Sequence, residues 1–189
     1  MNGEQQQCVF CHIASGKIPA KKVYEDAKVT AVLDINPASP GHILVIPKEH
    51  VAVMPQMSDE LVGHLGMISK QLSHALIRAL KAEGTSVFVA NGVAAGQRAP
   101  HFLLHIIPRS PDDGVALQPS PGKFDEKMLG EVSAKLAAAV GKQFGVEVNL
   151  PKTKEKPVEK EEKPVEKPEP VEEPDKKLDL DEIAEFLSK

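Results

Sequence analysis

Two cysteines and seven histidines carry most of the chemistry open to this chain. Cys8 and Cys11 are separated by two residues, a spacing that lets a pair of thiolates reach one zinc ion from a tight turn. Read with His12, the same stretch is Cys-x-x-Cys-His, the attachment pattern for c-type haem, which requires export to a compartment where haem is attached. A thioredoxin-like dithiol would sit after a strand, and nothing resembling a strand precedes Cys8. Two buried thiols with no ligand are the plain alternative.

Zinc needs two further ligands, and imidazole suits it. His64 and His74 fall in a long helical pattern among Ser, Gly and Lys and are expected at the surface or in helix packing. His50 follows the end of an apolar strand and His101 opens another, two places where loops converge. In an extended strand residues two apart share a face, so His101, Leu103 and His105 point one way and Phe102, Leu104 and Ile106 the other. At about 3.3 Å per residue the two histidine Cα atoms stand on the order of 13 Å apart, too far for one ion. If His101 binds metal, His105 is left for another group, such as a phosphate. The loop Asn91-Gly92-Val93-Ala94-Ala95-Gly96-Gln97 feeds that strand, and its small residues would let backbone N–H groups approach an anion while Asn and Gln add donors. A plain surface turn has the same composition.

The elements that must position these groups are legible in outline. Val23-Tyr24 and Val29 to Leu33, split by Glu25 to Lys28, predict a β-hairpin, and His42 to Ile46 a third strand that Pro47 ends. Ser58 is suited to cap a helix with Asp59 and Glu60 in its first turn. Leu61, Leu65, Ile68, Leu72 and Leu76 recur at helical spacing after it, and Gly84 is the expected C-cap. Ser86 to Ala90 and Phe102 to Ile107 supply two more strands, and residues 124–144 a second amphipathic helix. Strands joined by turns plus a long helix predict an α+β fold with an antiparallel sheet.

Residues 1–150 hold 14 Lys and Arg against 14 Asp and Glu, whereas 151–189 hold 9 against 13. The net charge of −4 therefore belongs to the C-terminal segment, and the remainder has no basic footprint for nucleic acid. No run of apolar residues is long enough to span a membrane. The opening MNGEQQQCVF lacks the basic and apolar segments of a signal peptide, so the expectation is a cytoplasmic protein with neither nucleic acid nor membrane as partner. Residues 151–177 are built from Lys, Glu, Pro and Val, with EKPVEK at 155–160 and again at 162–167, and are expected to be a disordered linker. In 178–189, Leu180, Ile183, Ala184 and Leu187 fall on one helical face, which suits docking to a protein partner, folding back, or fraying.

The combination of Cys8-x-x-Cys11, the Asp34-Ile35-x-Pro37 turn, Gly41-His42-Ile43-Leu44-Val45-Ile46-Pro47-Lys48-x-His50, and Gly96-Gln97 leading to His101-x-x-x-His105-Ile106-Ile107-Pro108-Arg109 resembles the histidine-triad (HIT) family over residues 8–110. The resemblance implies a five-stranded antiparallel sheet with two helices, doubled by dimerisation into one continuous sheet. The change of composition at Pro151 places the folded domain within 1–150, and the resemblance implies a purine nucleotide as ligand. By likeness to the zinc-bearing members, Cys8, Cys11, His50 and His101 would hold a structural zinc. Phe10, Ile13, Ile35 and Leu44 would line the base pocket, and Asp34 would accept from ribose hydroxyls. Asn91, Gly96, Gln97 and His105 would surround the α-phosphate.

One departure bears on activity. The family carries His-x-His-x-His, whose middle imidazole attacks the α-phosphorus, and Leu103 stands at that position. Leucine has no lone pair and cannot form a nucleotidyl intermediate. Arg98 and Pro100 are also unlike the small or apolar residues usual there. His105 lies one pleat further on, about 6 to 7 Å away, where a misplacement of about 1 Å already costs roughly a hundredfold in rate. Three functions are compatible with this pattern. The first is a nucleotide-binding or sensing protein with lost or weak nucleotidyl hydrolase or transferase activity. The second is an active phosphoramidate or dinucleoside polyphosphate hydrolase with a displaced nucleophile. The third is a zinc-stabilised dimeric interaction scaffold. Asp34, Asn91, Gln97 and His105 favour the first.

Overall fold

The computed structural model describes residues 7–116 and 119–148; the linker and the amphipathic segment expected at 151–177 and 178–189 lie outside the described residues. The elements run α1 (Val9–Ala14), β1 (Lys22–Glu25), β2 (Val29–Leu33), β3 (Ile43–Pro47), α2 (Asp59–Leu80), β4 (Gly84–Val89), β5 (Leu104–Arg109) and α3 (Glu126–Phe144). The strands form one antiparallel sheet in the order β1-β2-β3-β5-β4, as expected of the α+β class. The chain divides into two compact units, residues 1–121 and 122–189, with the sheet and both functional clusters in the first. In the second, α3 is capped by Asp125, whose Oδ1 accepts from Met128 N at 2.6 Å.

The central strands are apolar on both faces because both faces are covered. On one, Leu61, Leu65, Ile68, Leu72 and Leu76 of α2 pack on Val29, Ala31, Ile43, Val45, Leu104 and Ile106. On the other, Val32, Leu44 and Ile46 meet Ala14, with Phe10, Ile13 and Leu103 alongside. Each buried aliphatic side chain contributes about 1.5–3 kcal/mol relative to exposure, which makes the α2 stripe the main fastening of the domain.

Several boundaries differ from expectation. The helix capped by Ser58, whose Oγ accepts from Leu61 N at 3.3 Å, ends at Leu80 rather than running to Gly84. Lys81 takes the left-handed C-cap conformation with φ 55°, and Gly84 opens β4 opposite Arg109. The last strand starts at Leu104, two residues later than expected, because Phe102 N donates instead to Val51 O at 2.7 Å, tying residues 101–103 to the segment after β3. A third helix, α1, was not legible in the pattern. Thr30 Oγ1 anchors it by donating to Ala14 O at 3.1 Å.

Candidate functional site

Cys8 is the extended residue that begins α1 and Cys11 lies one turn on, so the pair rides on a short helix rather than on a tight turn. The helix faces His50 and His101, which the Phe102 to Val51 hydrogen bond brings together. Cys11 Sγ lies 3.2 Å from His50 Nδ1 and 3.5 Å from His101 Nδ1, and Cys8 Sγ 3.5 Å from the same His101 nitrogen. A tetrahedral ion bound by sulfur at about 2.3 Å and nitrogen at about 2.0 Å separates such atoms by roughly 3.5 Å, so these spacings fit one ion. His101 is fully buried, and its Nε2 sits 3.1 Å from Pro47 O, a group that can only accept. Nε2 therefore carries the hydrogen and Nδ1 turns a lone pair to the sulfurs, the ring orientation a metal ligand requires. Burial holds His101 neutral, down to about 4, and pushes the Cys11 thiol up to about 11, with Cys8 adding to the rise. Two thiols, which give up their protons to a metal, and two imidazoles converging on one point suit a zinc-like divalent cation. Among the described residues, all four sequence-predicted ligands come together.

A second cluster joins residues 63 apart in sequence. Gly41 turns the chain into β3 with φ +93°, and a Cβ there would collide with Leu80, so the entry of His42 into the sheet depends on glycine. Ala38 N donates to His42 Nδ1 at 3.2 Å, and His42 Nε2 lies 3.0 Å from His105 Nδ1. A backbone N–H can only donate, so His42 Nδ1 accepts and its hydrogen sits on Nε2, which donates to His105 Nδ1. The nitrogen left to His105 for a ligand is then Nε2, carrying a hydrogen. Burial lowers the pKa of both imidazoles; Asp34 opposes this at each, while His42 lowers His105 further. Asp34 Oδ2 lies 3.5 Å from His42 Nδ1, and its Oδ1 accepts from Asn36 N at 2.9 Å. Asp34 and His105 thus face opposite nitrogens of His42; Ala38, His42 and His105 form the hydrogen-bonded relay, and Asp34 stands beside it as a nearby charge.

The loop from Asn91 to Pro100 folds around Gln97. Its Oε1 accepts from Gly92 N at 2.7 Å, and its Nε2 donates to Ala52 O at 2.7 Å and Ala99 O at 2.9 Å. Asn91 Oδ1 accepts from Met54 N at 2.9 Å. The Gln97 amide expected to face an anion is therefore spent on backbone groups, and Gln97 acts here by holding the loop together and tying it to Ala52.

Between this loop, α1 and β4 lies a cleft of about 670 Å³. Of the residues singled out by sequence, Phe10, Gly96, Gln97, His101, Leu103 and His105 line it. Ile13 and Leu44 lie beneath, in the small core cluster that also receives Leu103. Ile35 stands 90% exposed, and Asn91 is exposed beside the loop. Sequence reasoning assigned no role to His42, Phe88 or Arg98. Phe88 is opposite His105 in the β4–β5 ladder, with ring centroids 5.9 Å apart, and Arg98 is part of the cleft wall.

A family model described as the HIT domain matches residues 15–112, a span that begins after both thiols. An uncharacterized HIT-like protein of Methanocaldococcus jannaschii is 44% identical over 108 residues, 57% of this chain and 82% of that protein. An adenosine 5'-monophosphoramidase of Schizosaccharomyces pombe is 40% identical over 134 residues, 68% of this chain and 98% of that enzyme. Among solved structures, a zinc-bound histidine triad family protein from Mycobacterium smegmatis superposes with a TM-score of 0.57 at 33% identity, covering 71% of this chain and 99% of that one.

Proposed function

The chain belongs to the HIT domain family, and from that premise we propose that it binds a purine nucleotide in the cleft beside β5 with nucleotidyl hydrolase or transferase activity lost or weak. The observation that carries this is the pairing of an oriented His105 with Leu103 in one cleft wall. The relay from Ala38 through His42 offers a ligand the Nε2–H of a neutral His105, a donor suited to a phosphate oxygen. Leu103, where the family's attacking imidazole stands, offers no lone pair. The Schizosaccharomyces relative is named for its action on a phosphoramidate, and this chain keeps the setting of that chemistry while replacing its nucleophile.

A displaced nucleophile is disfavoured by the same relay. For His105 to attack, its free nitrogen would need a lone pair, and the acceptor role of Nδ1 puts the hydrogen there instead. The test is turnover of a nucleoside phosphoramidate by the parent and by Leu103→His, with nucleotide affinity measured on both.

Zinc at Cys8, Cys11, His50 and His101 belongs to the same proposal. Four protein ligands leave no open position, so the ion would be structural, holding α1 and with it Phe10 against the cleft. Pairing of two copies through β4 is also part of it, because β4 is a sheet edge whose Val87 and Phe88 are 51% and 41% exposed. No helix of the described residues is long and apolar enough to cross a membrane. A reducing cytoplasmic setting would keep the two thiols available for metal.

A further inference from the structure

Among the described residues, the cleft wall contains one full cation, Arg98, and no carboxylate. Among the described residues Arg98 takes part in none of the ion pairs, whereas Arg109, the arginine of β5, is clamped by Asp113 at 2.6 Å. Its backbone is held on both sides. Gln97 N donates to Gly92 O at 3.2 Å before it, and Ala99 O accepts from Gln97 Nε2 after it, with Pro100 restricting Ala99 further. The guanidinium is thus carried on a fixed stretch of chain rather than on a free loop.

The polar groups of the cleft are ordered by depth. His105 and Leu103 are half-buried in the floor, and Arg98 is exposed at the mouth. Gln97 has committed both amide hydrogens, to Ala52 O and Ala99 O, so among the described residues of the wall His105 and Arg98 are the side-chain donors left for an anion. With a phosphate on His105 at the inner position, the next phosphate of a chain would extend toward the mouth, where Arg98 presents a planar fork matched to phosphate oxygens.

We propose that Arg98 makes this cleft selective for nucleosides bearing two or more phosphates over the monophosphate. The inference rests on the proposed nucleotide binding and names the class of nucleotide.

The experiment is calorimetric binding of AMP and ADP to the full chain at fixed ionic strength, for the parent, Arg98→Ala and Arg98→Lys. The parent is expected to prefer ADP by about tenfold or more, the preference to vanish in Arg98→Ala, and part of it to survive in Arg98→Lys. Equal affinity of the parent for AMP and ADP, or an ADP preference untouched in Arg98→Ala, overturns this inference and leaves nucleotide binding standing. Failure of the parent to bind either nucleotide overturns both.

Discussion

His42 Nε2 and His105 Nδ1 lie 3.0 Å apart, and the Ala38 N–H on the far side of His42 decides which of the two holds the hydrogen. Both rings are then neutral with hydrogen on Nε2 at pH 7. Nitrogen chemical shifts of the two imidazoles report this directly. Hydrogen on Nδ1 of either ring, or an imidazolium, would remove the basis for treating His105 as a donor to phosphate.

The same burial has a consequence for stability. Both histidines have pKa values lowered on folding, chiefly by desolvation. As pH falls below the unfolded value of about 6.5, the unfolded chain takes protons that the folded one refuses, so stability drains with acid and is complete above that value. The urea midpoint is expected to drop between pH 7.5 and 5.5, with a shallower drop in His105→Asn. An equal slope in the two proteins would assign the pH dependence to other groups.

Asp26 holds the first hairpin to α2. Its carboxylate accepts from Lys28 N at 2.7 Å, Val29 N at 2.8 Å, Tyr24 Oη at 2.8 Å and His64 Nε2 at 2.7 Å. Desolvation opposes ionisation, but these donors outweigh it and hold the carboxyl well below the usual range. The stabilisation is present above about pH 4 and lost on further acidification. Asp26→Ala is expected to cost about 2–3 kcal/mol at pH 7 by urea unfolding. A change below about 0.5 kcal/mol would show the network to be solvent-compensated.

If Cys8, Cys11, His50 and His101 hold zinc, the protein carries one ion per chain, and Cys11→Ser lowers that content sharply. Chelation should then lower the thermal midpoint, because an ion at a hundredfold its dissociation constant stabilises by about 2.7 kcal/mol. Metal analysis by mass spectrometry together with thermal unfolding checks both. A metal-free protein of unchanged midpoint would mean that the packing of α1 holds without an ion.

Much of the fold was legible because its determinants are local. The stripe from Leu61 to Leu76 and the Ser58 cap belong to one helix, and the apolar run Ile43 to Ile46 belongs to a strand buried on both faces. What escaped depends on distant contacts. Helix α1 has six residues, too few for a periodic pattern, and owes its place to Phe10, Ile13 and Ala14 against the sheet. The helix stop at Lys81 was hidden because Gly84 is the residue suited to a C-cap, yet here it opens β4. Within the site, the Cys8-x-x-Cys11 pair was readable from its spacing, while the full set with His50 and His101 came from the resemblance to zinc-bearing family members. The His42–His105 relay was not, since it spans 63 residues, and neither was the commitment of the Gln97 amide to Ala52 O, 45 residues away.

The central claim, a working nucleotide pocket without its nucleophile, is tested most directly by assaying hydrolysis of adenosine 5'-phosphoramidate by the parent and by Leu103→His, with AMP affinity measured on the same samples. Expected is a parent that binds AMP with negligible turnover and a substituted protein that binds comparably and turns over at least about a hundredfold faster. Clear turnover by the parent, abolished in His105→Ala, would contradict the claim and make His105 the attacking group.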